Sequence, residues 1–256
     1  MFFICGALTG SFLDVLIWRM PRKESIVTPS YCPSCNKHIA LYDNIPILSY
    51  FILSGQCRQC KSEISPRYFI VEFITGMLTV LIITTYGISS EMYVYMFFVY
   101  MFIVITFIDV EHDIIPNEII LLGIGLVFFA HLFEWLPISK MDGFYGVLVF
   151  GCLLYGIREL DSVIFKKDRI GFGNIKLGLL TGGLIGLELA ILALFLSFMI
   201  SALFTCFGLG IMKLKKKGKF LFEPFLALGI LMVFLTHTIC GGNAIIYWYY
   251  TIMNYD

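Results

Sequence analysis

Charge is scarce in this 256-residue chain: 14% of its residues are Asp, Glu, Lys or Arg, against about 25% in ordinary soluble domains. Too few polar side chains exist to cover a compact water-soluble surface. With 59% of residues hydrophobic, a disordered chain is excluded as well. An excess of either sign is also missing. The 18 basic and 18 acidic residues cancel, so no overall charge draws the chain to nucleic acid. Internal repeats, low-complexity tracts and a glycine-rich nucleotide loop after a strand are all lacking. The first apolar run has no basic residue ahead of it and no small-residue cleavage site behind it, so it reads as a retained span rather than a removable signal peptide.

What remains is an all-α polytopic membrane protein, since a helix needs about 20 apolar residues to cross a bilayer. Hydropathy gives eight candidate spans, roughly 2–18, 67–86, 92–110, 118–136, 142–160, 174–187, 189–212 and 221–240. The boundary between the sixth and seventh is soft, marked only by Gly186 and Glu188. Basic residues follow the first run in Arg19, Arg22 and Lys23, which places the N-terminus outside and residue 19 in the cytosol. Threading eight spans from there puts every basic residue except Lys140 on the cytosolic side, including Arg58, Arg158, Lys166, Lys167, Arg169, Lys176 and the Lys213–Lys219 group. A wrong span count would scatter them. The resulting division is a first span at 1–19, a cytosolic domain at 20–66, a seven-helix core at 67–240 and an external tail at 241–256. Tyr247, Trp248, Tyr249 and Tyr250 of that tail suit a membrane–water interface.

The 20–66 loop carries Cys32-Pro-Ser-Cys35 and Cys57-Arg-Gln-Cys60. Two C-x-x-C turns can set four thiolates tetrahedrally around Zn²⁺, and four protein ligands leave no open position for catalysis, so the metal is structural. The 21 residues between the pairs slightly exceed the usual spacing. The excess holds the apolar stretch Ile45–Leu53, which forms a small core or lies on the membrane. Two disulfides are the alternative, opposed by a reducing cytosol. Cys5, Cys152, Cys206 and Cys240 are scattered singly and read as small core residues.

Ionisable residues in or beside spans are costly and are functional candidates by default. Asp109 stands just inside the third span, with Glu111, His112 and Asp113 beyond it in water, and Pro116 opening the next helix. Gly171-Phe172-Gly173-Asn174-Ile175-Lys176-Leu177 stands on the same face at the start of the sixth span. Bland readings accompany each: Asp109 as a helix-end acid, Asn174 as an N-cap, Lys176 as a snorkelling anchor and Asp14 as an interhelical polar contact.

The pattern Asp109-x6-Pro116-Asn117, the frame Gly171-x-Gly173-Asn174-x-Lys176-Leu177 and the paired C-x-x-C turns resemble type IV prepilin peptidases. Gly10–Pro21 is similar to that family's opening signature, and Ser65–Glu72 to its return into the second span. The resemblance covers roughly 6–240. It implies an eight-span intramembrane aspartic protease of the bacterial inner membrane that cuts the basic leader from prepilins and pseudopilins on the cytosolic side. It also implies, in many members, methylation of the new N-terminus by S-adenosylmethionine. By motif, Asp109 matches the first catalytic aspartate and position 174 the second. The expected partners are the leader peptide, its hydrophobic helix and membrane lipid. Candidates for the methyl-donor site are the zinc domain and the acids Asp14, Glu63 and Glu72.

This chain departs from that family at one point, carrying asparagine where the second aspartate belongs. Two close carboxylates share a proton, one acting as base and the other as acid. An amide neither takes nor gives a proton in that range. The expectation is therefore a chain that binds substrate and barely cleaves it, as an Asp→Asn change made to hold substrate intact, or a degenerate paralogue, would do. A non-catalytic prepilin-binding or assembly protein is the rival reading. A proton-coupled transporter is another, although paired broken helices in matching halves are lacking.

Overall fold

A computed structural model of the chain describes residues 1–165, 171–210 and 223–239. Lys166, Lys167, Arg169, the Lys213–Lys219 group, Cys240 and the aromatic tail lie outside the described residues. The described part is helical: α1 Phe2–Arg19, α2 Leu48–Ile52, α3 Arg67–Tyr86, α4 Ser90–His112, α5 Asn117–Leu132, α6 Lys140–Phe165, α7 Phe172–Gly210 and α8 Glu223–Ile239, with a short 3-10 turn at Leu41–Asn44. Among the described residues, β pairing is limited to two isolated bridges in the cysteine loop. Five helices are long and apolar enough to cross a membrane: α1, α3, α4, and the Lys140–Val163 and Phe172–Phe204 parts of α6 and α7. Asn117–Leu132 and Pro224–Val233 are apolar but shorter. The chain divides into two compact units, Met1–His112 and Asp113–Asp256.

In the first unit α1 and α3 meet through small residues. Gly6 and Gly10 form a G-x-x-x-G step on α1, a spacing that lets two membrane helices approach backbone to backbone. A Cβ at Gly10 would sit 2.8 Å from the Cα of Glu72, and one at Gly6 would sit 2.9 Å from the Cα of Gly76. Thr79 ties α3 to α4 through a 2.6 Å hydrogen bond with the Tyr100 hydroxyl. Ile17, Val71, Ile82, Phe98 and Ile105 fill the centre.

In the second unit the sixth and seventh predicted spans are two helices that meet directly at Gly186, with φ 79° and ψ 178°, within the range given for α7. The two segments are joined by a kink instead of a loop, which is why hydropathy saw only a soft boundary. Such a kink orphans a backbone donor and acceptor, and apolar surroundings make both expensive. Here each is met by a neighbouring helix. The Leu187 N–H, which would otherwise bond the Gly183 carbonyl, donates to Asp142 Oδ1 of α6 at 3.2 Å. The Gly183 carbonyl lies 2.7 Å from His131 Nε2 of α5. A carbonyl only accepts, so Nε2 carries the hydrogen. Replacing Asp142 by Ala should therefore leave Leu187 N–H unsatisfied and cost about 1–3 kcal/mol. Thermal unfolding in detergent measures this, and an unchanged midpoint would show that the kink needs no outside acceptor.

Candidate metal centre and active site

The two C-x-x-C turns repeat one another hydrogen bond for hydrogen bond. In the first, the Cys32 N–H donates to the Lys37 carbonyl at 2.9 Å and the Asn36 N–H to the Cys32 carbonyl at 2.8 Å. In the second, the Cys57 N–H donates to Ser62 at 2.8 Å and the Lys61 N–H to Cys57 at 3.0 Å. The bridges Tyr31–His38 and Gln56–Glu63 close the two turns. Asn36 and Lys61 take the same left-handed conformation, with φ of 56° and 59°. The repeat lies mainly in the backbone; in the sequence only the cysteines and the isoleucines Ile39 and Ile64 recur.

The turns bring all four sulfurs within 4.8 Å of one another. Cys32 Sγ and Cys60 Sγ are 3.8 Å apart. A tetrahedron with Zn–S arms of about 2.3 Å has edges of about 3.8 Å, so the donor set fits zinc with little movement. A disulfide would need about 2.05 Å, and all four cysteines are unbonded. Burial opposes ionisation of Cys32. The backbone N–H groups of Cys35 and Ser34, with the Ser62 hydroxyl and the Cys57 thiol, outweigh it and bring the Cys32 thiol down to about 6. The Lys37 N–H favours the Cys35 thiolate, but burial and the neighbouring Cys32 and Cys60 sulfurs outweigh it and push that thiol up to about 11. One thiolate thus forms readily and opposes the next, which a divalent cation would relieve.

The loop is tied to the helices by buried charge. Arg19 is buried at the end of α1 and donates to the carbonyls of Ser25, Ile26, Thr28 and Pro29 at 2.6–3.2 Å. Arg67, at the start of α3, donates from Nη1 to both carboxylate oxygens of Glu111 at 2.6 Å. Its Nε lies 3.4 Å from Asp14 Oδ1. Asp14 is thus an interhelical contact, as its bland reading has it. Glu111 is less free in water than expected, its side chain being one-third exposed and paired. Sequence reasoning missed the role of Arg67. The one available signal was a lone arginine placed directly after Ser65-Pro66 at the mouth of a span.

Asp109 lies in the last turn of α4 in the first unit and is 3% exposed. Asn174 lies in the first turn of α7 in the second unit and is 2% exposed. It does not cap the helix. α7 begins two residues earlier, and Asn174 Oδ1 is buried with no hydrogen-bond partner among the described residues. Lys176 is more than an anchor, for its Nζ donates to Asn117 Oδ1 at 2.7 Å. A Cβ on Gly173 would sit 2.8 Å from Ile115 Cδ1. The Ile115-Pro116-Asn117 end of one motif and the glycine end of the other are therefore in contact within the second unit. Pro116 precedes α5 with an extended ψ of 124°, as the residue before its first turn.

Residues 4–86 match the model described as the bacterial peptidase A24 N-terminal domain. Residues 96–206 match that of the type IV leader peptidase family. Among curated proteins, the chain is 31% identical over 248 residues to a type 4 prepilin-like proteins leader peptide-processing enzyme of Escherichia coli, covering 88% of each chain. It is 29% identical over 248 residues to a prepilin leader peptidase/N-methyltransferase of Bacillus subtilis, covering 96% of each. A protein of the same description from Pseudomonas aeruginosa is 27% identical over 250 residues, covering 88% of this chain and 86% of that one. No solved structure matches the chain significantly. With both of its halves matched and its relatives covered almost end to end, the chain belongs to the type IV leader peptidase family.

Proposed function

We propose that this chain is an inner-membrane prepilin leader peptidase whose cleavage step is disabled at position 174. The observation that carries this is a pair of buried polar side chains at helix ends, Asp109 and Asn174, each inside an otherwise intact family motif. In this reading eight spans leave both termini outside, and the 20–66 zinc domain and both motif loops face the cytosol. The substrate has basic residues, a glycine before the cut and then a hydrophobic helix. The leader stays in water while the helix lies in lipid, so the scissile bond sits at the membrane edge. Glycine eases the local unwinding that an extended cut site needs. With aspartate at both positions, one carboxylate would take a proton from water as the other gives one to the scissile carbonyl. With asparagine at 174 only half of that exchange is available.

Methylation of the new N-terminus is the second activity proposed. When bound, S-adenosylmethionine would donate the methyl group on its positive sulfur to the freed amine, leaving as the neutral thioether while the nitrogen gives up a proton. This step would call on neither Asp109 nor Asn174, so the present chain would still methylate a pilin whose leader had already been removed. A non-catalytic prepilin-binding role is the second reading, favoured by Asn174 itself.

The test is incubation in detergent with a prepilin, products read by mass spectrometry, beside the Asn174→Asp variant. Intact substrate with the present chain and leader removal by the variant support the proposal. No cleavage by either would favour the binding role. In the Asn174→Asp background, Lys176→Met should slow cleavage about tenfold by loosening the start of α7 against Asn117, with Lys176→Arg recovering part of it. The unfolding midpoint should barely move, because exposed polar pairs are worth about 0–1 kcal/mol. A fall in stability matching the fall in rate would make Lys176 merely structural.

A further inference from the structure

The apolar stretch ahead of the second C-x-x-C turn does not form the core of its loop. Ile45–Leu53 carries no charge, and its helix, α2, turns Leu48, Phe51 and Ile52 outward, 58%, 62% and 69% exposed. Those three stand at i, i+3 and i+4 and so share one face. Ile45, just ahead of them, is exposed as well. Ser49, Tyr50 and Leu53 turn the other way and line the space that the loop encloses. A contiguous apolar face of this kind marks a surface that something apolar covers.

What covers it follows from where α2 sits. Phe51 meets Phe69 of α3 edge-on, with ring centres 5.2 Å apart, and Phe69 stacks on Phe73 at 5.9 Å. Phe69 and Phe73 share a face of α3 with the exposed Ile70, Ile74 and Met77. The buried Val71, Thr75, Thr79 and Ile82 occupy the opposite face. α3 is long and apolar enough to cross a bilayer, so its exposed face is the one that lipid wets. The aromatic row carries that face onto α2 without a break. Depth agrees. The Ile47 N–H, at the entry to α2, donates to Glu72 Oε2 at 2.7 Å. Glu72 lies five residues beyond the first residue of α3, about 7.5 Å along the axis at about 1.5 Å per residue. Interfacial helices sink their apolar face about 5–10 Å into the boundary of headgroups and acyl chains. α2 is moored beside the first turns of the span, not beyond its end.

We propose that α2 is a membrane anchor of the cysteine loop, with its Leu48, Phe51 and Ile52 face seated among the acyl chains at the edge of the bilayer. The stretch has no charged side chain to select a headgroup, so the acyl region is what it recognises. The anchor and the Glu72 bond together fix the height of the loop against the membrane.

The test puts the photoreactive residue p-benzoylphenylalanine in place of Ile52 in the full zinc-loaded chain, held in nanodiscs of phosphatidylcholine alone. The control carries it in place of Lys61, which is exposed in the second C-x-x-C turn. Irradiation should join phospholipid to the peptide containing position 52 and essentially none to that containing position 61, as read by mass spectrometry. No lipid adduct at 52, equal yields at the two positions, or an adduct to a second protein chain in place of lipid would overturn the proposal. A chain that tolerates the probe poorly at 52 can carry it at 48, on the same face, with the same outcomes. Independently, Leu48→Ser/Phe51→Ser/Ile52→Ser should speed trypsin cleavage after Arg58 about tenfold or more in the nanodiscs, because the apolar area that lipid covers is gone. A variant that keeps its zinc and resists trypsin as well as the parent would also overturn it. Neither readout involves cutting a prepilin, so failure here leaves the peptidase reading standing.

Discussion

Asn174→Asp is expected to raise the rate of leader removal by about 10²–10⁴ or more, the range that general acid–base help supplies. The side chain at 174 is buried and its carbonyl oxygen has no hydrogen-bond partner among the described residues. Asparagine and aspartate have nearly the same shape, so the change alters protonation and little else. If 109 and 174 form one site as proposed, a second carboxylate would make them titrate in two macroscopic steps, and the rate should become bell-shaped in pH. Asp109→Asn should abolish the gain. Residues that act as one unit are strongly non-additive, so the Asp109→Asn/Asn174→Asp double variant should be as slow as the present chain. Cleavage kinetics of the four proteins on one prepilin would settle this. A present chain already as fast as Asn174→Asp, or a double variant that keeps the gain, would mean that 109 and 174 do not form one catalytic pair.

Much of the fold was legible in the sequence, because apolar run length is a local property. The runs at 2–18, 67–86 and 92–110 return as α1, α3 and α4 within about two residues of their edges. The fourth run proved shorter, its helix ending at Leu132, since its last turn is closed by a left-handed Glu134 beyond it. What could not be read was whatever depends on partners distant in the chain. The α7 kink is a glycine in the sequence, but its tolerance comes from Asp142 and His131 on other helices. The four cysteines were legible as a candidate metal site because C-x-x-C is a local turn, and the structure brings their sulfurs together. The Lys176–Asn117 bond, spanning 59 residues, was not. Asp109 and Asn174 stood out in the sequence only as polar residues at the ends of apolar runs, within spacings that resemble a family's motifs. No local rule says that an acid at a helix end does chemistry.

Stripping the metal should have the second large effect, confined to one part of the chain. Among the described side chains of residues 20–66, Cys32 alone is buried. α2 buries nothing, and Leu48, Phe51 and Ile52 on it are all exposed. A segment this short cannot fold on so thin a core and needs a staple. Structural zinc provides about 10–16 kcal/mol in small metal-dependent domains, far more than that core could. The α1–α3 contact, by contrast, is made by Gly6, Gly10, Gly76, Thr75 and Thr79, and owes nothing to the metal. A strong chelator, or Cys57→Ser, should therefore remove one zinc per chain and expose Arg58 and Lys61 to trypsin, with the helices still resistant. Arg58 is held in part by Asp43, whose carboxylate it grips at 2.6 Å, but the arginine is half exposed and such a pair contributes little on its own. Metal analysis beside limited proteolysis reads both effects. A loop that stays resistant after the zinc is gone would show that the helix ends, through Arg19 and Glu72, hold it without help.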